Sequence, residues 1–233
     1  VVPPDRIALG GDGANRTITV RPAADAWGTS VITVSVSDGH ATVGTTFEVV
    51  VTAVNDAPIL SLPAGLGRTE DGGRLVSGIA VGDRDAAGAD IAVSLASRVG
   101  ALAIPNLKDD VTVIAGENGS REVGLQGTIA ALAEALSGLR YQPGRDFVGD
   151  DVITVVVDDL GNMGAGGAQQ VAGEIPVTVA PVNDGPSLMP IDDQQLTDPE
   201  TRAVEIFARD VDDSVLRVDA GPHQYPVCCP CQL

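Results

Sequence analysis

The sequence predicts an all-β chain of tandem Greek-key β-sandwich modules, with one short helix in the complete module. A Val-Asn-Asp-x-Pro segment occurs at 54–58 and again at 182–186, a spacing of 128 residues. Such a fixed period of self-similarity indicates repeated structural units. Short segments alternate between apolar and polar residues, and turn residues separate them, as in half-buried strands. No series of helices alternates with these strands, which argues against a parallel α/β sheet.

The composition limits the classes of partner. Of the 233 residues, 44% are hydrophobic and only 3% are aromatic, so the core has to be built from Val, Ile, Leu and Ala. The 14 basic and 32 acidic residues give a net charge of −18. Nucleic acids require a basic surface, and anionic lipids repel so acidic a chain, so we expect no nucleic-acid partner. No run approaches the ~20 apolar residues of a membrane helix, so no membrane-spanning segment is predicted.

The cysteines are confined to the end of the chain, at Cys228, Cys229 and Cys231. The body of the sequence therefore has no disulfide, and an extracellular protein without disulfides needs another means of stabilisation, such as bound metal. The Cys-x-x-Cys spacing lacks the βαβ context of a redox motif and the fourth ligand of a zinc site. We predict a disordered tail over 223–233.

Residues 1–54 are predicted to form the C-terminal half of a module. The segment 17–20 alternates as a strand, and 31–37 places apolar residues on one face and Thr or Ser on the other. Asp38-Gly39 then turns the chain, and 45–52 returns as a second strand. Because the front half of this module is missing, we expect the chain to be a fragment of a longer protein.

Residues 55–182 are predicted to form the complete module, and 183–222 the start of a further, truncated repeat. The strand 152–157 is the counterpart of 31–37. The joint motif recurs after 128 residues, whereas this strand recurs after 121, from Ile32 to Ile153. The difference of seven residues falls in the Gly-rich loop 160–168, which lies between the strand and the second joint. Insertions of this kind belong in surface loops.

One segment of the complete module departs from the β pattern. Between Thr128 and Gly138, apolar residues recur at positions 129, 132, 136 and 139, which is a helical spacing. Thr128 is a suitable N-cap and Gly138 a suitable C-terminal stop. The pattern predicts two to three helical turns against the side or end of a sandwich.

Acidic residues recur at the loops where successive modules would meet. Calcium takes about six to eight oxygen ligands, which have to converge from several loops. Loops cluster at the two ends of a sandwich, so the joint of one module meets the opening loops of the next. This geometry predicts two calcium sites, one at each joint. The first would gather Asn55, Asp56, Asp83, Asp85 and Asp159, and the second Glu70, Asn183, Asp184, Asp210 and Asp212.

Turns and caps alone would account for single Asp and Asn residues. The recurrence of the same set at both joints favours metal binding over that interpretation. An EF-hand is rejected, because Ala87 and Ser94 stand where a ligand and the bidentate Glu belong. The segment 10–15 resembles one nonapeptide of a β-roll, but such rolls need tandem copies, so a turn is the better interpretation.

The chain resembles the cadherin-like repeats of large microbial surface and secreted proteins of the adhesin type. The resemblance rests on the two Val-Asn-Asp-x-Pro joints, the Asp-x-Asp pairs, Thr69-Glu70-Asp71, and the segment from Tyr141-Gln142-Pro143 through Phe147-Val148-Gly149-Asp150. It covers nearly all of the chain up to about residue 213.

The resemblance implies cadherin/Ig-like sandwiches with calcium ions between them, which stiffen a rod used for adhesion or spacing. It implies Asp56, Asp83, Asp85 and Asp159 as ligands at the first joint, and Glu70, Asp184, Asp210 and Asp212 at the second. The joints lack the fuller Asp-x-Asn-Asp-Asn form of vertebrate cadherins. No Asp-Arg-Glu triplet is present, and either Asp146 or Asp150 could replace it.

We therefore expect a non-enzymatic, calcium-binding segment of an extracellular or cell-surface protein. Its partners would be other repeats of the same parent chain, and cell-surface proteins or glycans. His40 follows a hairpin turn with no nucleophile beside it, so catalysis is not predicted. Two alternatives stay open: a carbohydrate-binding or enzyme-accessory module that uses Trp27, and a metal-free acidic spacer.

Overall fold

A computed structural model describes residues 1–197 and 199–221 of the chain. It divides into two compact units, Val1–Ala180 and a second unit that begins at Pro181. Strands dominate the described residues, which confirms the predicted all-β class. The predicted tail at 223–233 lies outside the described residues, and the module boundaries at 54 and 182 stay predictions.

The first unit opens with a short 3₁₀ helix at Pro4–Arg6, followed by two antiparallel hairpins. Their strands are β1 (Ile7–Asp12), β2 (Asn15–Val20), β3 (Gly28–Ser37) and β4 (Thr42–Val51). Ile32, which is 6% exposed, is the one buried hydrophobic residue of 1–54, while Val36 and Val43 are more than 70% exposed. These hairpins therefore do not enclose a core of their own.

The rest of the first unit is a two-layer sandwich. Its strands are β5 (Ile59–Ser61), β6 (Leu66–Thr69), β7 (Arg74–Leu75), β8 (Ala80–Gly82), β9 (Asp90–Ser97), β10 (Ala101–Ala103), β11 (Thr112–Gly116), β12 (Glu122–Thr128), β13 (Arg140–Gln142), β14 (Gly149–Asp158) and β15 (Gln170–Ala180). The large sheet has the order β11-β12-β9-β14-β15-β6. A three-stranded sheet, β10-β13-β7, and the pair β5-β8 complete the module.

The register of the large sheet positions the ends of its central strands. Ile153 of β14 lies opposite Ile175 of β15 on one side and Ser97 of β9 on the other. All pairings in this sheet are antiparallel except β15 with β6, which is parallel and places Thr69 beside Ala180. Glu70 therefore lies at the same end of the sandwich as Ala180.

The two layers share one hydrophobic core. On β14 the buried positions alternate, and Ile153, Val155 and Val157 are fully buried. The smaller sheet contributes Leu102 and Tyr141 to the same cluster. Each fully buried side chain of this size contributes roughly 1.5–3 kcal/mol through removal of apolar surface from water. The core thus holds the joint-facing loops on a rigid support.

The predicted helix is confirmed as α1 (Ile129–Ser137), which packs on the core through Leu132 and Leu136. Thr128 caps it, because its side chain accepts a hydrogen bond from the Ala131 N–H at 3.3 Å. Gly138 is the C-cap, as the sequence predicted. Within the described residues, no helix has the length and apolar character needed to cross a membrane.

The second unit is small over its described part. Strand β16 (Ser187–Leu188) pairs antiparallel with β17 (Ala208–Arg209). Large apolar side chains stay exposed there, among them Phe207 at 60% and Val215 at 87%. The repeated acidic loop of this unit also makes side-chain hydrogen bonds, which are described below.

Candidate functional site

The first joint (54–58) connects β4 to β5. Its two polar residues differ in environment, because Asn55 is only 4% exposed while Asp56 is exposed. The backbone N–H of Asn55 donates to the carbonyl of Ala165 at 3.0 Å. The joint is therefore held against the sandwich that follows it in the chain.

The acidic loop that follows β8 closes on this joint. Oδ1 of Asp83 accepts from the backbone N–H of Asp85 at 2.6 Å and of Ala86 at 2.9 Å, which fixes a tight turn. Oδ2 of Asp85 accepts from the backbone N–H of Asp56 at 2.6 Å. Three of the predicted ligands, Asp56, Asp83 and Asp85, are thus linked by hydrogen bonds.

Asp159 reaches the joint from the end of β14 and contacts Asn55 instead. Its Oδ2 accepts from the Asn55 side-chain amide at 2.6 Å, and its Oδ1 accepts from the backbone N–H groups of Gly161 and Gln169, both at 2.8 Å. Burial opposes ionisation of this carboxyl group, but the hydrogen bonds from Gln169, Gly161 and Asn55 lower the pKa of Asp159. The side chain is therefore a buried carboxylate that braces the joint.

Two buried oxygens of the predicted first site have no hydrogen-bond partner within residues 1–197 and 199–221. They are Oδ1 of Asn55 and Oδ2 of Asp83. The Asn55 amide nitrogen already donates to Asp159 and to the Gly167 carbonyl, so its carbonyl oxygen has to point the other way. Unpaired buried acceptors are rare in proteins and costly. Both are oxygen atoms of the kind that calcium prefers, so the chemistry of these donors fits calcium.

The second joint (182–186) reproduces the contacts of the first within the second unit. Oδ2 of Asp212 accepts from the backbone N–H of Asp184 at 2.6 Å. Oδ1 of Asp210 accepts from the backbone N–H groups of Asp212 and Asp213, both at 2.9 Å. Asn183 differs from its counterpart, because it is exposed and its amide donates to the Asp184 carbonyl at 2.8 Å.

Glu70 belongs to the first unit, whereas the other residues predicted for the second site belong to the second. It is only 5% exposed, and its backbone N–H donates to the Ala180 carbonyl at 3.2 Å. It lies at the end of the sandwich, beside the last residue of β15. Its membership of a metal site stays a prediction.

The carboxylates do not form a ready-made cluster. Over the residues that the structure describes, no group of three or more His, Cys, Asp or Glu side chains is arranged to hold a metal ion. Of the two candidates for the missing acidic ligand, Asp146 pairs with Arg145 at 3.5 Å, and Asp150 accepts from the Thr178 hydroxyl at 3.1 Å. Neither contact selects one candidate over the other.

Asp151 is a buried carboxylate that we did not predict from the sequence. It is 3% exposed and accepts hydrogen bonds from the backbone of the 98–100 turn and from the Tyr141 hydroxyl at 2.7 Å. Burial opposes ionisation, but the bonds from Gly100, Tyr141, Val152 and Val99 outweigh it and lower the pKa of Asp151 to about 2. Burial, followed by the bond and charge of Asp151, raises the pKa of the Tyr141 hydroxyl.

The burial of Asp151 could have been predicted from the sequence. Asp151 lies on the same face of β14 as the buried Ile153, Val155 and Val157, and Asp159, one residue beyond the strand, continues this alternation. A polar residue on the buried face of a strand has to find partners, which makes it a structural or functional candidate. Asp151 holds the turn between β9 and β10 against β14, far from the joint loops in sequence.

Comparisons with known proteins add a resemblance in shape only. No protein-family model and no curated protein matches the chain. Among the solved structures, human protocadherin-24 EC1-2 is similar, with 19% identity and a TM-score of 0.39 over 77% of this chain and 78% of that chain. A TM-score this low carries no argument about architecture. The sandwich described above rests on the strand pairing of the chain itself.

Proposed function

We propose that this chain is a non-enzymatic, cadherin-like segment of an extracellular or cell-surface protein, in which calcium bound at the joints fixes the angle between successive sandwiches. Its role is adhesion or spacing, with neighbouring repeats of the same parent chain as its first partners. The observation that carries the proposal is the pair of buried, unpartnered oxygens at the first joint, Asn55 Oδ1 and Asp83 Oδ2.

The chemistry of the joint favours a divalent cation. Asn55, Asp56, Asp83 and Asp85 would supply the oxygens at the first joint, and Asp159 would add a carboxylate from the end of β14. When bound, the ion would neutralise the repulsion between these acids. The Asp-to-backbone hydrogen bonds pre-form the turn, which limits the ordering cost of binding.

The repetition of geometry supports the same proposal. The bond from the joint Asp N–H to the second Asp of the acidic pair measures 2.6 Å at both joints. A turn that served only local stability would have no reason to be tied to the joint in the same way twice. The net charge of −18 is also consistent with a protein that works in the presence of divalent cations.

Calorimetric titration of the full chain with CaCl₂, and separately with MgCl₂, tests the proposal. We expect saturable calcium binding with a Kd of about 10⁻³ M or tighter, the range of extracellular modules. Asp83→Asn keeps an acceptor for the turn but removes the charge, and it should weaken the first site about tenfold. Asp12→Asn, at an exposed hairpin tip, is the matched control and should change nothing.

Two results would contradict the proposal. One is the absence of saturable calcium binding. The other is equal binding by the wild type and Asp83→Asn, which would place the ion elsewhere. Small-angle scattering with and without chelator then tests the mechanical role, because calcium should reduce the spread of orientations between the segments on either side of a joint.

A further inference from the structure

The glycine-rich loop (160–168) is bonded directly to the backbone of the first joint. Val54 and Ala165 form an isolated parallel β-bridge. The Asn55 N–H donates to the Ala165 carbonyl, and the Ala165 N–H donates to the Ala53 carbonyl, both at 3.0 Å. Backbone bonds in both directions make the loop a short added strand beside the joint.

Side chains add to this attachment. Nε2 of Gln169 donates to the Asn55 carbonyl at 2.6 Å, and the Asn55 amide donates to the Gly167 carbonyl at 3.0 Å. Asn55 therefore uses its N–H, its carbonyl and its side-chain amide to contact the segment from Asp159 to Gln169. This accounts for the burial of Asn55 between the exposed Val54 and Asp56.

Glycine at 164 is what permits the close approach. Its φ is +105°, and an added Cβ would lie 2.7 Å from the Asn55 nitrogen and from the Val54 carbonyl carbon. Gly167 also has a positive φ, of +74°, but a Cβ there would meet nothing within 4 Å. Only the first of the two glycines is required by contact with the joint.

The loop is longer than its counterpart in the preceding repeat. The corresponding turn after β3, Asp38 to Ala41, closes on itself through Asp38 Oδ1. The loop that carries the seven extra residues is the one that bonds to the first joint. At the second joint, Asn183 is exposed, whereas its counterpart Asn55 is buried.

We propose that the glycine-rich loop is a metal-independent clamp that fixes the direction of the first joint in the absence of calcium. The parallel bridge and the Gln169 contact hold Ala53, Val54 and Asn55 against the following sandwich. The exposed ion pair between Arg84 and Asp25, at 3.2 Å, links the preceding hairpins to the same sandwich. Chelation would then loosen joints without such a loop and leave this one in place. The inference goes beyond the proposed function and does not depend on calcium binding.

Amide hydrogen exchange of the full chain, recorded by NMR in the presence of EGTA, tests the clamp. The N–H groups of Asn55 and Ala165 should exchange at least about tenfold more slowly than in an unstructured peptide, because both are bonded in the bridge. Gly164→Ala should return both to nearly unstructured rates. Gly119→Ala, in the turn between β11 and β12, imposes similar backbone strain at φ +96° with nothing within 4 Å of the added Cβ, and it should preserve the protection. The amide of Val155, in the core, reports whether each variant is folded.

A second pair of variants keeps the test decisive if Gly164→Ala also lowers the protection of Val155. Gln169→Ala removes one contact to the joint, and exchange at Asn55 and Ala165 should rise about threefold or more. Gln170→Ala removes a similar bond, to Asp158 at 2.7 Å, that does not touch the joint, and should leave those rates unchanged. Fast exchange of the Asn55 and Ala165 amides in the wild type would overturn the clamp. So would equal exchange rates in Gly164→Ala and its glycine control or, where Gly164→Ala unfolds the core, in Gln169→Ala and Gln170→Ala. A failure of calcium binding would leave this outcome unaffected.

Discussion

The side-chain amide of Asn55 lies 2.6 Å from Oδ2 of Asp159, a contact between two buried residues that are 104 positions apart. It joins the segment between two modules to the end of a central strand. Among the described residues, the other donors to the Asp159 carboxylate are the backbone N–H groups of Gly161 and Gln169. The Asp159 carboxylate thus holds the Asn55 side chain in place, and the Asn55 amide supplies a hydrogen bond that the buried carboxylate needs.

Asn55→Ala should destabilise the complete module by about 1–3 kcal/mol in the presence of chelator, because it leaves Asp159 buried without its side-chain donor. Asn183→Ala is the matched control, since the same residue of the repeated motif is exposed there. Its effect should stay within about 0.5 kcal/mol. Urea unfolding followed by circular dichroism measures both. Equal effects at the two joints would contradict the importance of the Asn55–Asp159 contact.

Asp151→Asn should lower the free energy of unfolding by about 2 kcal/mol at neutral pH, because the amide cannot accept all the bonds that the carboxylate accepts. The amide NH₂ would replace one of the two oxygens, which accept from the Arg98 N–H on one side and from the Tyr141 hydroxyl and the N–H groups of 99–100 on the other. The adjacent Asp150→Asn is the control, because Asp150 is exposed. Chemical denaturation of both variants gives the comparison, and a loss in Asp150→Asn as large as in Asp151→Asn would argue against the buried acceptor.

The lowered pKa of Asp151 also predicts how the free energy of unfolding changes with pH. The pKa of Asp151 is lowered from 3.8 to about 2 in the folded chain, so the unfolded chain binds the proton first as the pH falls. The ionised Asp151 therefore contributes its full stabilisation above about pH 4, and this stabilisation is lost between about pH 4 and pH 2. At about 1.4 kcal/mol per pKa unit, the full contribution is about 2 kcal/mol. Urea unfolding at several pH values should show the stability gap between the wild type and Asp151→Asn closing over this window. A constant gap would mean that the charge of Asp151 does not contribute.

Arg84 lies between two predicted ligands and pairs with Asp25, with both side chains at least half exposed. Arg84→Ala should change the free energy of unfolding by less than about 0.5 kcal/mol, because exposed ion pairs contribute little. It should raise calcium affinity about two- to fivefold at low salt, since a positive charge beside the site is removed, and the gain should shrink at high salt. Calorimetric melting measures the change in stability, and calorimetric titration measures the change in calcium affinity. A fall in affinity would show instead that the Arg84–Asp25 pair organises the acidic loop.

Local patterns predicted the parts of the fold that depend on local physics. Alternation placed the strand around Ile153, and helical spacing with a Thr cap and a Gly stop placed α1 within a residue of its ends. The two copies of the Asn-Asp-x-Pro motif make the same backbone contact to an acidic loop, although their role as module boundaries stays a prediction. These features need only neighbours in sequence and one buried face.

The contacts at the joint were beyond such patterns. Asn55 bonds to Asp159 and Ala165, more than a hundred residues away, and nothing local in a glycine-rich loop indicates which backbone it will meet. The sequence grouped Asp56, Asp83, Asp85 and Asp159 as equals. In the structure Asp159 contacts Asn55, whereas Asp83 and Asp85 form a turn that bonds to the Asp56 N–H, a division that depends on the tertiary register.

A calcium titration of the ¹⁵N-labelled full chain, followed residue by residue by NMR, tests most directly whether oxygens from adjacent modules share one ion. We predict that the side-chain amide of Asn55 and the backbone amides of Asp56 and Asp85 shift together and saturate with a single Kd of about 10⁻³ M or tighter. Shifts that stay linear with calcium concentration, or that spread over exposed acids away from the joint, would contradict a shared ion at this boundary.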